Sequence, residues 1–351
     1  MTPRNGATQV TRFYPPQDPI AAMTRQALFV GGTRFIGRHA VREFRDAGYD
    51  VTLFHRGEHD SPFADDDGVE HLRGDRTETE DLADAAALDP DVVVDMVAYE
   101  PRDVRTATTL FDDVDAYVYV SSGSAYGDED VPKREGETAL EPCTDEQATD
   151  DSHETYGARK AEGDRAVFAA AADGVNALSV RPCVVYGPHD YTRRFDYWVQ
   201  RVADYDRVLV PGDGTNLWHR VSVENVVRAL RVVAEDGTPG EAYNVGDRRL
   251  QTLRETVETV ADALDTDVEV VTAGERELDA GGLSPSDFPL YRDPPHVLDT
   301  NKLRSLDWDP VAPEDAIAET VEATPEREAD EAQQGPDREA EERVLGVLET
   351  L

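Results

Sequence analysis

The 351 residues carry 74 Asp plus Glu against 35 Lys plus Arg, a formal net charge of −39, and 39% of them are hydrophobic. That length holds one large domain or two ordinary ones around a substantial core, while two cysteines, Cys143 and Cys183, are too few for a disulfide scaffold or a thiolate zinc cage. Collagen-like and disulfide-stapled classes are therefore out.

No eighteen-residue apolar run occurs, and the N-terminal residues lack the apolar stretch of a secretory leader, so the chain reads as soluble and cytoplasmic. The acidity argues against nucleic-acid and membrane partners. Three of the basic residues are lysines, Lys133, Lys160 and Lys302, and the other 32 are arginines. An acidic, lysine-poor surface is the bias of proteins from extreme halophiles. At about 1 M salt the screening length falls to roughly 3 Å, so much of the self-repulsion vanishes and the charge reports habitat more than partner.

Residues 1–22 show no periodic apolar pattern, contain Pro15, Pro16 and Pro19, and read as a disordered extension ahead of Met23. From Ala27 strand and helix patterns alternate: strand 27–30, helix 35–47, strands 51–54 and 69–74, helix 79–87, strand 92–97, helix 101–111, strand 116–122. An acidic loop over 127–152 leads to a helix over 155–172 and a strand over 176–182. Short, near-continuous apolar strands separated by helices predict a parallel sheet covered on both faces, a doubly wound α/β fold of Rossmann type. Beyond Tyr186 come an aromatic-rich helix, a glycine-rich turn, and a strand and helix over 218–234. The expected organisation is a dinucleotide-binding domain over 23–186, to which 218–247 returns. A smaller α/β substrate-binding portion spans 187–217 and 248–310, and an acidic, weakly buried helical tail covers 311–351.

The first strand runs into Gly31-Gly32-Thr33-Arg34-Phe35-Ile36-Gly37 and then a helix. A glycine turn there cradles pyrophosphate: Gly31 permits the tight turn, backbone N–H groups face the anion, and Gly37 lets helix and strand approach. The middle position is Arg34 rather than glycine, and its guanidinium is a candidate phosphate contact. The second strand ends at His55-Arg56, where NAD sites place a carboxylate for the ribose 2′-hydroxyl and NADP sites an arginine for the 2′-phosphate; the cofactor expected is NAD(P), leaning to NADP. Asp75, after the third strand, is either an acceptor for the adenine amino group or an exposed turn acid.

Tyr156 and Lys160 stand at i and i+4, one above the other on a helix face. A fixed cation beside a phenol favours phenolate and suits the pair to acid–base work. Upstream, Ser121-Ser122-Gly123-Ser124 closes a strand at the end that faces the ligand crevice of such a sheet. Tyr191, Phe195, Tyr197 and Trp198 read either as a stacking surface for a base or sugar or as core. Of the histidines, only His55 and His59 stand at i and i+4, in a loop, and no metal site is expected.

On GGTRFIG, SSGSAYG, YGARK, RPCVVYGPHD, WHRVSVENVV and EAYNVGD, the chain resembles the extended short-chain dehydrogenase/reductase superfamily, in its NAD-dependent epimerase/dehydratase group. The resemblance implies that Ser122, Tyr156 and Lys160 are catalytic, that Pro182 to Val184 line the nicotinamide and that Ala98 lies beside the cofactor. It implies a nucleotide-sugar substrate, chemistry of the oxidoreductase or epimerase kind, and room for a homodimer. Arg34 is shared with an atypical GGTRFIG branch that includes chloroplast stem-loop RNA-binding proteins. The 4,6-dehydratases carry Asp-Glu after their catalytic Thr, where Gly123 and Ser124 follow Ser122 here, so epimerisation or simple redox is favoured over dehydration. RNA binding, or dinucleotide sensing without turnover, are the alternatives.

Overall fold

The structure is a computed structural model that describes residues 24–324 and 334–350; the extension expected over residues 1–22 lies outside them. Eleven strands appear in chain order: β1 (Gln26–Val30), β2 (Asp50–His55), β3 (Val69–Arg73), β4 (Val92–Asp95), β5 (Ala116–Val120), β6 (Ala177–Pro182), β7 (Val184–Tyr186), β8 (Arg207–Pro211), β9 (Arg220–Ser222), β10 (Ala242–Val245) and β11 (Glu269–Ala273). Seven of them form one parallel sheet in the order β10-β6-β5-β4-β1-β2-β3, with Leu28 of β1 between Thr52 and Val93. The order reverses at β1 and β4. There the carboxyl ends of neighbouring strands part and leave the crevice in which open α/β sheets bind ligands.

The helices are α1 (Phe35–Asp46), α2 (Thr79–Ala86), α3 (Pro101–Leu110), α4 (Tyr156–Ala172), α5 (Arg194–Asp204), α6 (Val223–Asp236), α7 (Leu253–Ala263), α8 (Glu275–Asp279), α9 (Asn301–Arg304), α10 (Pro313–Ala323) and α11 (Arg338–Leu348). Helix α1 forms because Phe35, Ala40, Val41 and Phe44 recur on one face, and it buries them against β1, where Phe44 meets Phe29 edge to face at 5.2 Å. Pro101 and the reciprocal Glu100–Asp103 capping box fix the start of α3, satisfying donors that a helix N-terminus leaves open. Ser222 caps α6 by accepting from the Asn225 N–H.

A second core gathers β8, β11, α5 and α7, and α10 and α11 pack on it through Ile317, Val344 and Leu345. Weak burial was the expectation for 311–351. The difference comes from Glu341, fully buried on α11, which accepts from Arg201 Nε at 2.7 Å and Tyr197 Oη at 2.6 Å. With Arg338 Nη1 as a third donor at 3.1 Å, the carboxylate is matched and goes into a core that an unpaired one would disrupt. The same device recurs under the main sheet as Arg181–Asp164 at 2.8 Å and Arg76–Asp95 at 2.6 Å.

Candidate functional site

Where β1 turns into α1, Gly31 and Gly32 hold φ of +96° and +97°, a region closed to residues with a side chain without strain. A Cβ on Gly37 would lie 2.3 Å from Gly32 Cα, so the first turn of α1 presses backbone to backbone on the strand end. Thr33, Arg34, Phe35 and Ile36 complete the turn and line one cleft with the glycines. A turn of this kind offers backbone amides and the positive end of a helix to an anion. The Arg34 guanidinium stacks on the Tyr191 ring, 3.8 Å from its centroid.

At the end of β2, His55 and His71 share a hydrogen bond, Nε2 to Nδ1 at 3.0 Å, and His71 Nε2 reaches the Phe63 carbonyl. The carbonyl can only accept, so the proton lies on His71 Nε2 and His55 Nε2–H donates to His71 Nδ1. Burial, with His71 and Arg73 beside it, lowers the His55 pKa. Arg56 faces the cleft half-exposed and paired with Glu58 at 2.9 Å. Asp75 also lines the cleft, but one of its oxygens takes the Thr77 N–H and hydroxyl.

The end of β5 carries Ser122, whose Oγ accepts the Ser124 N–H at 3.1 Å in a short 3-10 turn. Tyr156 opens α4, and Lys160 one turn on is 2% exposed, its Nζ donating to the carbonyls of Ala98 at 3.0 Å and Val120 at 2.8 Å. Ala98 thus sits beneath the cleft and steers the ammonium with its carbonyl. Burial lowers the Lys160 pKa to about 8, against the partial support of Asp95 and Asp164. Tyr156 departs from the expectation that its lysine favours phenolate: burial pushes the phenol up to about 12, and the Ser122 hydroxyl pulls the other way more weakly. The lysine is itself desolvated and turned to two carbonyls, which blunts its field at the phenol.

Pro182 at the end of β6 and Val184 at the start of β7 form the far wall of this cleft of about 1430 Å³, which takes in every candidate residue except Ala98. Of the aromatics, Phe195, Tyr197 and Trp198 are core, and Tyr191 alone is 55% exposed on the cleft. Residues that the sequence did not single out also face it: Tyr99 beside the Lys160 ammonium, His153 stacked on Tyr156, Arg292 and His296. His296 is 5% exposed, and burial takes its pKa down to about 4. Its Nε2 lies 3.1 Å from where a Gly123 Cβ would stand, so the place beside Ser122 is filled by a neutral imidazole. A lone histidine between two prolines and an apolar run gives no local signal of that approach. Among the described residues no group of three or more His, Cys, Asp or Glu is arranged to hold a metal, and no helix is long and apolar enough to cross a membrane.

A seven-stranded parallel sheet with a glycine turn at its switch point and serine, tyrosine and lysine on the same cleft defines a Rossmann-type protein of the extended short-chain dehydrogenase/reductase superfamily. More particularly, the chain belongs to the NAD dependent epimerase/dehydratase family, whose model matches residues 27–246. Its relatives include the chloroplast stem-loop binding protein of 41 kDa b of Arabidopsis thaliana, 27% identical over 305 residues that cover 83% of this chain and 76% of that one. Another is the low-salt glycan biosynthesis protein Agl12 of Haloferax volcanii, 26% identical over 310 residues, 81% of this chain and 93% of the relative. Among solved structures, dTDP-glucose 4,6-dehydratase of Bacillus anthracis in complex with NAD matches with a TM-score of 0.66 at 22% identity, over 86% of this chain and 96% of that chain. The Thermus thermophilus UDP-glucose 4-epimerase complex with NAD matches at 0.65 and 22%, over 85% and 98%. At those identities the likeness is one of fold.

Proposed function

We propose that the protein is an NAD(P)-dependent epimerase or reductase of a nucleotide sugar, working through Ser122, Tyr156 and Lys160. The observation that carries this reading is the shared cleft: Ser122, its hydroxyl bonded to the Tyr156 phenol, and the glycine turn line it together, with the Lys160 ammonium anchored on the Ala98 and Val120 carbonyls. Bound nicotinamide supplies the hydride acceptor or donor. Tyr156 takes a proton from the substrate hydroxyl or returns one to its carbonyl, Ser122 holds the same oxygen, and Lys160 reaches the ribose and stabilises the phenolate as it forms. The glycine turn holds the pyrophosphate, and Phe35, Ile36, Pro182 and Val184 keep water off the reacting face.

The relatives' names, a glycan biosynthesis protein and dTDP-glucose dehydratases among them, support a sugar substrate. Dehydration is less favoured than epimerisation or reduction, because Gly123 and Ser124 follow Ser122 where 4,6-dehydratases carry Asp-Glu, and the neighbour of Gly123 is His296 rather than an acid. Arg56 at the end of β2, with no acid at His55, leans the cofactor toward NADP. The Glu58 ion pair limits that preference to roughly tenfold, about 1.4 kcal/mol.

The test is mass spectrometry of small molecules released on denaturation, followed by turnover of UDP-glucose and dTDP-glucose with NAD and NADP. A released dinucleotide and turnover lost in Tyr156→Phe support the enzyme. Dinucleotide without turnover on any sugar leaves a sensor, and binding of stem-loop RNA without dinucleotide overturns the reading.

A further inference from the structure

Resting on the reading that this cleft takes a dinucleotide, the geometry points to Tyr191 as a positioning residue for the cofactor pyrophosphate, acting through Arg34. The segment between β7 and α5 turns sharply, and two of its residues with side chains hold left-handed backbone, His189 at φ +68° and Arg193 at +56°. Strain of this kind persists where surrounding contacts over-determine it, and those contacts are visible. Asp190, buried, takes the Thr192 N–H at 2.9 Å and its hydroxyl at 2.7 Å, and Arg194 Nε binds the same hydroxyl. His39 of α1 reaches the Pro188 carbonyl at 3.0 Å, tying the segment to the helix that begins at the glycine turn.

What the turn presents is Tyr191, an exposed aromatic whose ring lies flat enough on the cleft for Arg34 to stack at 3.8 Å. Tyr191 lines the same cleft as the glycine turn, Tyr99 and Tyr156. Stacking engages the face of a guanidinium and leaves the N–H donors in its plane open, and among the described residues no acceptor pairs with those of Arg34. In the glycine turn an ordinary family member brings backbone to the phosphate at this position. Here a flexible side chain stands there, and it must be held before it serves as an anion contact. Tyr191 holds it: the ring restricts Arg34 to rotamers that lie over the turn, so the entropy of ordering a long side chain is largely met before the diphosphate arrives. A cation–π contact also keeps its geometry in salt that weakens an exposed ion pair.

The experiment is calorimetric titration of the full chain in molar KCl with NAD, ADP-ribose and AMP, for wild type, Tyr191→Ala, Tyr191→Phe, Arg34→Ala and the double variant Arg34→Ala with Tyr191→Ala. Y191A is expected to weaken NAD and ADP-ribose about tenfold and AMP less than twofold, with Tm unchanged because the side chain is exposed. Y191F, which keeps the ring, is expected to match wild type. R34A is expected to weaken both diphosphates, and adding Y191A to it to cost nothing more. Multiplicative losses in the double variant, a Y191F as weak as Y191A, or a Y191A that binds like wild type or more tightly would each overturn the assignment; tighter binding would mean that the ring occupies the cofactor's place. Wild type binding none of the three ligands would instead overturn the dinucleotide reading, and this assignment with it.

Discussion

Lys160 is a buried cation whose hydrogen-bond partners are carbonyls, and that environment sets its pH behaviour. Its pKa falls from 10.5 in the free side chain to about 8 in the fold, while burial takes Tyr156 from 10.0 to about 12. Between those two lysine values the unfolded chain holds a proton that the folded chain has released, so the Lys160 contribution to stability rises with pH across that window. From 10 to 12 Tyr156 works in the opposite direction, since the folded phenol keeps a proton that the unfolded one has lost. The proposed mechanism needs a phenol on its way to phenolate beside a charged lysine. Oxidation of a substrate hydroxyl should therefore quicken with pH up to about 8 and level off above it, where loss of the lysine charge cancels the gain in phenolate, and Tyr156→Phe should cost roughly a hundredfold or more. A rate still climbing at about pH 10, where a lysine of ordinary pKa is itself half titrated, would remove Lys160 from the step. Arg56 offers a second check: Glu58→Gln frees its guanidinium and should move the ratio of dissociation constants several-fold toward NADP in calorimetry, and Arg56→Ala should move it toward NAD. At this scale the sequence showed Ser122, Tyr156, Lys160 and the glycine turn because each follows a strand end or a helix repeat. It could not show His296 beside Gly123 or Tyr191 on Arg34, since those meetings join segments more than a hundred residues apart in the chain.

The β1–α1 unit works only while its backbone segments touch. Gly37→Ala adds a Cβ that would lie 2.3 Å from Gly32 Cα, and backbone has no rotamer by which to yield. Alanine favours a helix over glycine by about 1 kcal/mol, yet the variant should be less stable in denaturant and weaker for dinucleotide, because relief requires α1 to move off the turn. An unchanged denaturation midpoint would mean that the approach has slack. The tail helix α11 makes the complementary case. Glu341→Ala leaves Tyr197 buried without its acceptor and Arg201 without its carboxylate, at a cost of about 3 to 5 kcal/mol, or roughly 5 °C in Tm. Glu341→Gln, which keeps an acceptor, should lose less, and equal losses would locate the effect in packing. Strands of the main sheet were legible because apolar runs of four to six residues alternate with helical repeats. The seating of α11 was not, since its anchor is a carboxylate, and a buried charge reads from sequence as a solvated one.

Among the described residues most of the acidity lies outside the core; of the arginines that enter it, Arg76, Arg181 and Arg201 are matched to Asp95, Asp164 and Glu341, while Arg159 and Arg220 are held by carbonyls and hydroxyls. Those buried pairs are shielded from salt, whereas the surface carboxylates, which far outnumber the available cations, repel one another across water. Salt should therefore act on the surface term alone. Sheet order, helix caps and the glycine cradle stay as they are, and the free energy of the compact state improves as screening tightens. We expect Tm to rise steeply with KCl from about 0.1 M to 2 M, a range over which the screening length shrinks severalfold. Because excluded solutes also strengthen burial, the control is sucrose at matched osmolality, which should stabilise less than KCl. A melting temperature indifferent to KCl, or one that sucrose raises equally, would mean that the acidic surface is hydrated without strain and that adaptation to high salt is not what its net charge of −39 records.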